Sequence, residues 1–164
     1  MSDTKNSIGM SQLDQVIARS EIRAIVDRYG ILARDDSPWD EVRKLFAKDA
    51  VYYIPGGKAL PPTRLEEVLQ GGSAEYIRHH VTTHDIKFIS ATEALGETNF
   101  IAITDSAWPD HWGCWKDTFK VQADGTWKIQ SRRICVDNGV PQGWFMKNYG
   151  QWHEVPGHHD VHTL

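Results

Sequence analysis

Apolar residues recur at helical spacing in the first part of the chain and at two-residue spacing in most of the remainder. A helix is predicted over residues 11–34, with Ser11 as its N-cap and Asp14 placed for a capping box. Its apolar positions fall near helical spacing: Leu13, Val16, Ile17, Ile25, Val26, Tyr29 and Leu32.

A second helix is expected directly after the first. Ser37 is predicted to cap it and Pro38 to occupy its first position, in the stretch "DDSPWDEVRKLF". "AVYYIP" is typical of a short strand that stops at Pro55, and "PPTRLEEVLQGG" of a short helix with a glycine stop.

The stretch from residue 79 to about 137 is rich in β-forming residues. Four strands are predicted, with "ADGT" as a hairpin turn between the last two. The tail from about residue 138 is expected to be mostly loop. Helices followed by a run of antiparallel strands indicate an α+β fold. A strongly curved sheet with the helices against its concave side would create a deep pocket. The strands are "HHVTTHDIKFIS", "TNFIAITDSAW", "GCWKDTFKVQ" and "TWKIQSRRICVD".

Length and composition indicate one domain over residues 1–164, with a core at about 12–136 and a tail at 137–164. The net charge is −4 and no run of basic residues occurs, which excludes a typical nucleic-acid-binding surface. No apolar run approaches the roughly 20 residues of a membrane span, and no secretory signal is recognised. Cys114 and Cys135 lack metal or redox spacing, so a cytoplasmic protein with free thiols is expected.

Three histidines lie in or beside the first predicted strand. Strict alternation places His80 and His84 on one face, together with Phe88, and His79 on the other. Asp35 ends the first helix, where a carboxylate can reach into a pocket. A histidine beside a buried aspartate is a general base, because the carboxylate stabilises the imidazolium that forms.

Hydroxyl groups and a second acid complete this candidate site. Tyr29, Tyr52 and Tyr53 are candidates to donate a proton to a carbonyl or leaving oxygen. Asp105 ends the second predicted strand and is a candidate polar group of the pocket wall. The seven tryptophans fit either a core or the lining of a pocket for a flat, apolar ligand, and most of them are expected in the core.

Each of these residues also has a purely structural interpretation. The histidines fit surface or satisfied core positions, Asp35 fits a solvent-exposed helix end, and Tyr29 fits the apolar stripe of the first helix. Asp117 stands on an apolar strand face, which is typical of a buried carboxylate paired with Arg132 or Arg133.

The alternatives to an organic-ligand site are a metal site and a nucleotide site. His80, His84 and Asp35 have the composition of a two-histidine, one-carboxylate centre. The tail residues His158, His159 and His162 match no closed tetrahedral spacing. Because aromatic residues suit an organic ligand and no glycine-rich phosphate loop, GxSxG or CxxC motif occurs, we expect neither a metal nor another cofactor.

Three stretches resemble the SnoaL-like branch of the nuclear transport factor 2-like superfamily over about residues 12–136. They are "DRYGILARDDSPWDEVRKLFAKDAVYYIP", "RHHVTTHDIKF" and "WKDTFKVQADGTWKIQSRR". Within that family they are similar to the scytalone dehydratase and bile acid 7α-dehydratase type. This resemblance implies a cone-shaped α+β fold, with a curved antiparallel (mixed) sheet wrapped around N-terminal helices. It also implies a cofactor-free lyase.

The resemblance also assigns roles to particular residues. Asp35 takes the place of the catalytic aspartate four residues before a tryptophan, and His80 that of the catalytic histidine. Tyr53 is expected as the catalytic hydroxyl. The residues expected to contact substrate are Tyr29, Tyr52, His84, Phe88, Asp105, Trp112, Trp115 and Arg133.

The resulting expectation is a lyase that eliminates across a C–O or C–C bond of a small hydrophobic, aromatic or polycyclic molecule. Deformylation of a lignin-type aromatic diol is one variant. The alternatives are an isomerase or polyketide cyclase, and a non-catalytic subunit such as an oxygenase small subunit. We expect no nucleic-acid or membrane partner, and a homodimer or homotrimer.

Overall fold

The computed structural model describes residues 8–69, 72 and 74–150. No helix in this part of the chain is both long and apolar enough to cross a membrane. The helical elements are α1 (Gln12–Leu32), α2 (Trp39–Arg43), a 3-10 helix (Pro62–Val68) and α3 (Trp144–Tyr149). The strands are β1 (Phe46–Tyr53), β2 (Ala59–Leu60), β3 (Ile77–Phe88), β4 (Glu93–Thr104), β5 (His111–Val121) and β6 (Trp127–Gly139).

The first helix begins where the sequence predicts it. The Ser11 hydroxyl accepts a hydrogen bond from the backbone N–H of Asp14, and the Asp14 carboxylate accepts one from the N–H of Ser11. This reciprocal capping box satisfies two backbone donors that a helix start leaves without intrahelical partners. The predicted N-terminal end of the apolar stripe is wrong, because Leu13 and Val16 are 63% and 64% exposed.

The start of α2 differs from the prediction. The hydroxyl of Ser37 donates to the carbonyl of Arg34 and accepts from its N–H, so it closes a turn after α1. The N-cap of α2 is Pro38, which has no capping side chain. Ser37 therefore shapes the connection at the end of α1, where the candidate site lies.

One six-stranded sheet forms the body of the fold, with strand order β2-β1-β6-β5-β4-β3. β1 pairs with β6 in parallel, and the other neighbours are antiparallel. The sheet is mixed, curved and open, and α1 packs against its inner face. The predicted α+β class and curved mixed sheet are confirmed.

The closed part of the core lies between α1 and the middle of the sheet. Ile22 and Val26 of α1 are fully buried, as are Phe119 and Ile129 of β5 and β6. Side chains of this size contribute about 1.5–3 kcal/mol each when they are withdrawn from water. This packing fixes the helix on the sheet. The C-terminal end of α1 is therefore held beside the start of β3, where Ala33 meets His79 and Asp35 meets Ile77.

A β-bulge interrupts β3. Val81 pairs with Phe100 and His84 pairs with Thr98, so two residues of β3 lie opposite one residue of β4. Such an insertion shifts the alternation of side chains by one position, and residues before and after it exchange faces. The sequence-based assignment of histidines to faces assumed an uninterrupted strand and is therefore wrong.

The tail contains more regular structure than predicted. Residues 144–149 form α3, which folds back over the open end of the sheet, whereas the sequence indicated loop. Phe145 of α3 is 2% exposed and belongs to the core. The histidines predicted as a possible metal cluster, His158, His159 and His162, lie outside the described residues.

Candidate active site

A cavity lies between the inner face of the sheet, the C-terminal end of α1 and the helix α3. The cavity, including its mouth, measures about 600 Å³. Its lining is mostly apolar and aromatic, and this cavity is called the slot below. Its aromatic wall consists of Tyr29, Trp39, Tyr52, Phe100, Trp115, Trp144, Phe145 and Tyr149, and its two imidazoles are His79 and His111.

His79 lies at the start of β3 and faces this cavity. Its Nδ1 is 2.8 Å from the carbonyl oxygen of Ala33. Because a carbonyl only accepts, Nδ1 carries the proton and Nε2 remains as an acceptor for a ligand. Burial, together with the neighbouring His111, lowers the pKa of His79 to about 4, so the ring is neutral at neutral pH.

His80 lies on the opposite, outer face of β3 and is exposed. It does not line the cavity, and no hydrogen bond or ion pair among the described residues joins it to Asp35. The expected proximity of His80 and Asp35 is therefore wrong. The bulge at Thr82 and Thr83 is the reason, because it puts His79 on the inner face together with Ile86.

His111 opens β5 and forms a buried pair with Asp110. Its Nδ1 lies 2.8 Å from Oδ1 of Asp110, and the two side chains are 5% and 0% exposed. The carboxylate fixes the Nδ1–H tautomer, which leaves Nε2 as the nitrogen that can meet a ligand. The rings of His111 and His79 are 6.0 Å apart between centroids. Sequence reasoning missed this pair, although "DH" is adjacent in "WPDHW".

Three further donors bind the carboxylate of Asp110. They are the hydroxyl of Thr104 at 2.8 Å and the backbone N–H groups of Trp144 at 2.6 Å and Phe145 at 3.1 Å. Burial opposes ionisation, but the hydrogen bonds, with that of His111 first, lower the pKa of Asp110 below its usual value. The site therefore keeps a negative charge directly behind one imidazole.

Two tyrosine hydroxyls meet in the cavity wall. The oxygens of Tyr29 and Tyr52 are 2.6 Å apart, and both side chains are buried. Burial raises the pKa of both phenols, for Tyr52 well above its usual value. Both groups therefore keep their protons at neutral pH and act as O–H donors. The two tyrosines predicted to contact substrate thus lie in the cavity wall.

A buried ion pair lies below the cavity. Arg132 donates to both carboxylate oxygens of Asp117, at 2.8 and 2.6 Å, and both side chains are fully buried. The guanidinium lies over the rings of Tyr29 and Trp115, 3.9 and 4.6 Å from their centroids. The structural interpretation of Asp117 is confirmed, with Arg132 and not Arg133 as its partner.

Asp35 lies near the mouth of the cavity, after α1. Its carboxylate accepts a hydrogen bond from the N–H of Ile77 at 3.3 Å and pairs with the guanidinium of Arg78. Burial opposes the ionised form, but these hydrogen bonds lower the pKa of Asp35. Asp35 therefore joins the end of α1 to the start of β3. Within the described residues its hydrogen-bond and ion-pair partners are Ile77 and Arg78, and no histidine is among them.

Several predicted site residues lie away from the cavity. Tyr53 projects from the outer face, where the guanidinium of Arg133 lies 4.4 Å from its ring centroid. Asp105 is exposed and accepts from the N–H of Tyr76 at 3.1 Å. Trp112 is partly exposed and does not line the cavity, whereas the neighbouring aromatic on the inner face, Trp115, does.

His84 and Phe88 lie on the inner face but below the cavity. The ring of His84 is 6.4 Å from that of Phe119, and burial lowers its pKa. Phe88 packs beneath the guanidinium of Arg19, at 5.0 Å. Neither residue lines the cavity. No group of three or more His, Cys, Asp or Glu side chains in the described part of the chain is arranged to hold a metal ion.

A match to a family model shows which protein family the chain belongs to. Residues 14–133 match the model of the SnoaL-like domain. The chain belongs to the SnoaL-like family. Comparison with curated proteins gives no significant match.

Solved structures of several kinds share this fold. A proposed scytalone dehydratase from Novosphingobium aromaticivorans DSM 12444 is 22% identical, with 77% of this chain and 89% of that chain covered and a TM-score of 0.64. The hexachlorocyclohexane dehydrochlorinase LinA-type3 from Novosphingobium barchaimii LL02 is 17% identical, with 79% and 93% covered and a TM-score of 0.70. The beta subunit of a proposed aromatic-ring-hydroxylating dioxygenase from Novosphingobium aromaticivorans DSM 12444 is 19% identical, with 79% and 94% covered and a TM-score of 0.62.

Proposed function

We propose that this protein is a cofactor-independent lyase that eliminates water or a similar leaving group from a small, neutral, hydrophobic molecule. The observation that carries the proposal is the pair of imidazoles, His79 and His111, which line the same aromatic cavity with their rings edge to face and 6.0 Å apart between centroids. One of them is backed by the buried carboxylate of Asp110. Two names among the structural neighbours, a dehydratase and a dehydrochlorinase, belong to eliminating enzymes.

His111 is the proposed base. Its Nε2 removes a proton from the carbon next to the leaving group, and the electron pair of that C–H bond forms the new double bond as the C–O bond breaks. Asp110 stabilises the imidazolium that results. The proton is then returned to the departing hydroxide, which leaves as water, so the reaction needs no cofactor.

His79 and the two tyrosines are the proposed polar partners of the leaving group. The neutral His79 accepts a hydrogen bond at Nε2, because Nδ1 is occupied by the carbonyl of Ala33. Tyr29 and Tyr52 offer one O–H to a substrate oxygen, since only one of them donates within their own pair. Such preorganised donors stabilise charge that develops on oxygen in the transition state.

The walls of the slot define the proposed substrate class. Trp115 and Phe100 are stacked at 5.1 Å and form one side, and Trp144 closes another. The cation of the lining, Arg34, is partly exposed to solvent and forms an ion pair with Asp36 at 2.7 Å. A flat, uncharged aromatic or polycyclic molecule fits this environment better than an anion does.

The roles predicted for Asp35 and His80 change in this proposal. Asp35 and Arg78 fix the junction of α1 and β3 and so keep the carbonyl of Ala33 and the ring of His79 in register. His80, on the outer face, takes no part in proton transfer.

Mass spectrometry of reaction mixtures tests the proposal. A panel of neutral aromatic and alicyclic alcohols and ketones is incubated with the wild-type protein and with His111→Gln. We expect a product that has lost one water, and a rate lower by about 10²–10⁴ in the variant, which is the usual contribution of a general base.

Other outcomes of the same experiment would overturn the assignment. A product of unchanged mass indicates an isomerase or cyclase, and loss of formaldehyde indicates C–C cleavage. A wild-type protein that turns over nothing and purifies with a larger oxygenase chain is a binding subunit. Equal rates for wild type and His111→Gln would exclude His111 as the base.

A further inference from the structure

Asp110 joins the proposed base to the helix that closes the cavity. Its carboxylate accepts from Nδ1 of His111 on one side and from the N–H groups of Trp144 and Phe145, the start of α3, on the other. Thr104 ties the same carboxylate to the end of β4. One fully buried charge is therefore shared between a proton-transfer group and a cavity-closing element.

α3 is held in place by contacts at its other end as well. The indole N–H of Trp144 donates to the carbonyl of Gly72 at 3.1 Å, and the hydroxyl of Tyr149 donates to the carbonyl of Val68. Stacked rings run from there to the base: Tyr149 lies 4.9 Å from Phe145, and Phe145 lies 4.7 Å from His111. Displacement of α3 thus removes both a ring from the face of His111 and two donors from Asp110.

We propose that Asp110 is a positioning residue through which docking of α3 controls the tautomer and orientation of His111. This inference rests on the proposed role of His111 as the base. With α3 docked, two backbone N–H groups and the Thr104 hydroxyl hold the carboxylate in place, so that its Oδ1 faces Nδ1 of His111 and keeps the ring proton there. With α3 displaced, the carboxylate loses two of these donors, and the ring of His111 loses its fixed acceptor and its stacking partner Phe145.

The surroundings of His111 support this direction of coupling. The titratable groups that meet it are Asp110, through the hydrogen bond, and His79, at 6.0 Å. Its other ring contacts are with the uncharged residues Phe100, Trp144 and Phe145. The carboxylate of Asp110 is thus the group that transmits a displacement of α3 to the ring. A docked α3 then leaves Nε2 of His111 free to accept a proton from substrate, and a displaced α3 releases the ring from that orientation.

Nuclear magnetic resonance of the ligand-free protein tests the coupling without turnover. Hydrogen exchange of the Trp144 and Phe145 amides reports the opening of α3, and the ring nitrogen shifts of His111 report its tautomer and charge. The variants are Asp110→Asn, Tyr149→Phe and the double variant. Tyr53→Phe is the matched control, because it removes a tyrosine hydroxyl from the outer face.

We expect both single variants to loosen α3. Loss of one hydrogen bond in Tyr149→Phe should speed exchange of the two amides roughly fivefold, and loss of the charge in Asp110→Asn about ten- to a hundredfold. Tyr149→Phe should also reduce the fraction of His111 rings that carry the proton at Nδ1. In the Asp110→Asn background the same substitution should leave the His111 ring shifts unchanged.

Two results would overturn the coupling. One is faster amide exchange in Tyr149→Phe with unchanged His111 ring shifts. The other is an equal response of His111 with and without the charge of Asp110. Tyr149→Phe alone still decides the first point if Asp110→Asn does not fold. Because no substrate is used, failure of this coupling leaves the lyase proposal intact. A fully active His111→Gln variant would instead overturn His111 as the base, whatever the resonance result.

Discussion

Two aspartates, Asp117 within β5 and Asp110 directly before it, are both buried but have different partners and different surroundings. Asp117 meets a permanent cation, Arg132, in the closed floor of the fold, where both side chains are fully buried. Asp110 meets a histidine at the cavity, beside the helix α3. The comparison shows that burial of a carboxylate does not by itself reveal its role. Two further features are needed: whether the charge of its partner can change by proton transfer, and whether the pair borders a cavity.

The floor pair holds the cavity in shape. Arg132 has no proton to exchange at any ordinary pH, and the buried pair with Asp117 raises its pKa further. Its guanidinium supports the rings of Tyr29 and Trp115 from below. Tyr29 in turn carries the hydroxyl that meets Tyr52. The fixed charge thus supports the aromatic residues of the slot, and the proposed proton transfer belongs to the histidines above it.

The largest effect is expected from breaking the floor pair. Arg132→Met leaves Asp117 buried and uncompensated, which should lower the free energy of unfolding by about 3–5 kcal/mol. Urea denaturation measures this loss. Arg133→Met is the matched control on the outer face, and a change of about 0.5 kcal/mol is expected there. Equal losses of unfolding free energy for the two variants would show that the buried pair of Arg132 and Asp117 does not contribute more to stability than Arg133 on the outer face.

The same substitution at the two aspartates separates their roles. Asp110→Asn should slow turnover by roughly a hundredfold or more, because the imidazolium of His111 loses its counter-charge. Its cost in free energy of unfolding should be about 1–3 kcal/mol, since three donors besides His111 lose a charged acceptor.

Asp117→Asn should instead act mainly on stability. Residual folded protein at low temperature should retain turnover within a few-fold of wild type. Rates of the two variants, each corrected for its folded fraction, give the comparison. A larger catalytic defect in Asp117→Asn than in Asp110→Asn would reverse the assignment of the two pairs.

The pH dependence of stability should depend on His79. Its pKa is lowered from 6.5 in the unfolded chain to about 4 in the folded state, so the unfolded state binds a proton first. Its contribution is complete above pH 6.5 and is lost as pH falls from 6.5 to about 4. The free energy of unfolding should drop by roughly 2–3 kcal/mol more in wild type than in His79→Gln over this window. Parallel urea midpoints for both proteins at pH 7.5 and 4.5 would contradict the lowered pKa.

The smallest effect is expected at the tyrosine pair that connects the two regions. Tyr52→Phe removes the partner of the Tyr29 hydroxyl and should lower the free energy of unfolding by about 1 kcal/mol. Tyr53→Phe, on the neighbouring position of the outer face, should change it by less than about 0.5 kcal/mol. Thermal and urea denaturation of both variants give the comparison, and a larger loss for Tyr53→Phe would contradict the assigned faces.

Local sequence signals predicted the parts of this molecule that depend on local chemistry. The Ser11 cap, the strand composition and the "ADGT" hairpin follow from neighbouring residues. The pairing of Asp117 was predictable because an acid on an apolar strand face needs a cation, and arginines stand on the next strand. Tyr29, Tyr52 and Tyr53 were all predicted as proton donors to a substrate oxygen, and the first two line the cavity whereas Tyr53 lies beside Arg133.

The site itself depends on contacts between distant residues, which a single sequence does not display. The bulge in β3 contains no glycine or proline; its pairing opposite Asn99 of β4 creates it, and hydrogen bonds join that residue to Thr82 and Thr83. Strict alternation therefore selected His80 where the structure presents His79. Asp110 and His111 were missed because the surroundings that bury them include α3. This helix comes more than thirty residues later in the sequence and contacts Asp110 only in the folded chain.

The most direct test of the account compares two adjacent histidines. Turnover is measured for His79→Gln and His80→Gln with a substrate found in the mass-spectrometric panel. We predict that His79→Gln lowers the rate by at least about tenfold, whereas His80→Gln stays within about twofold of wild type, because only the first ring faces the cavity. A strong loss in His80→Gln with normal turnover in His79→Gln would contradict the inward placement of His79 and the whole assignment of the site.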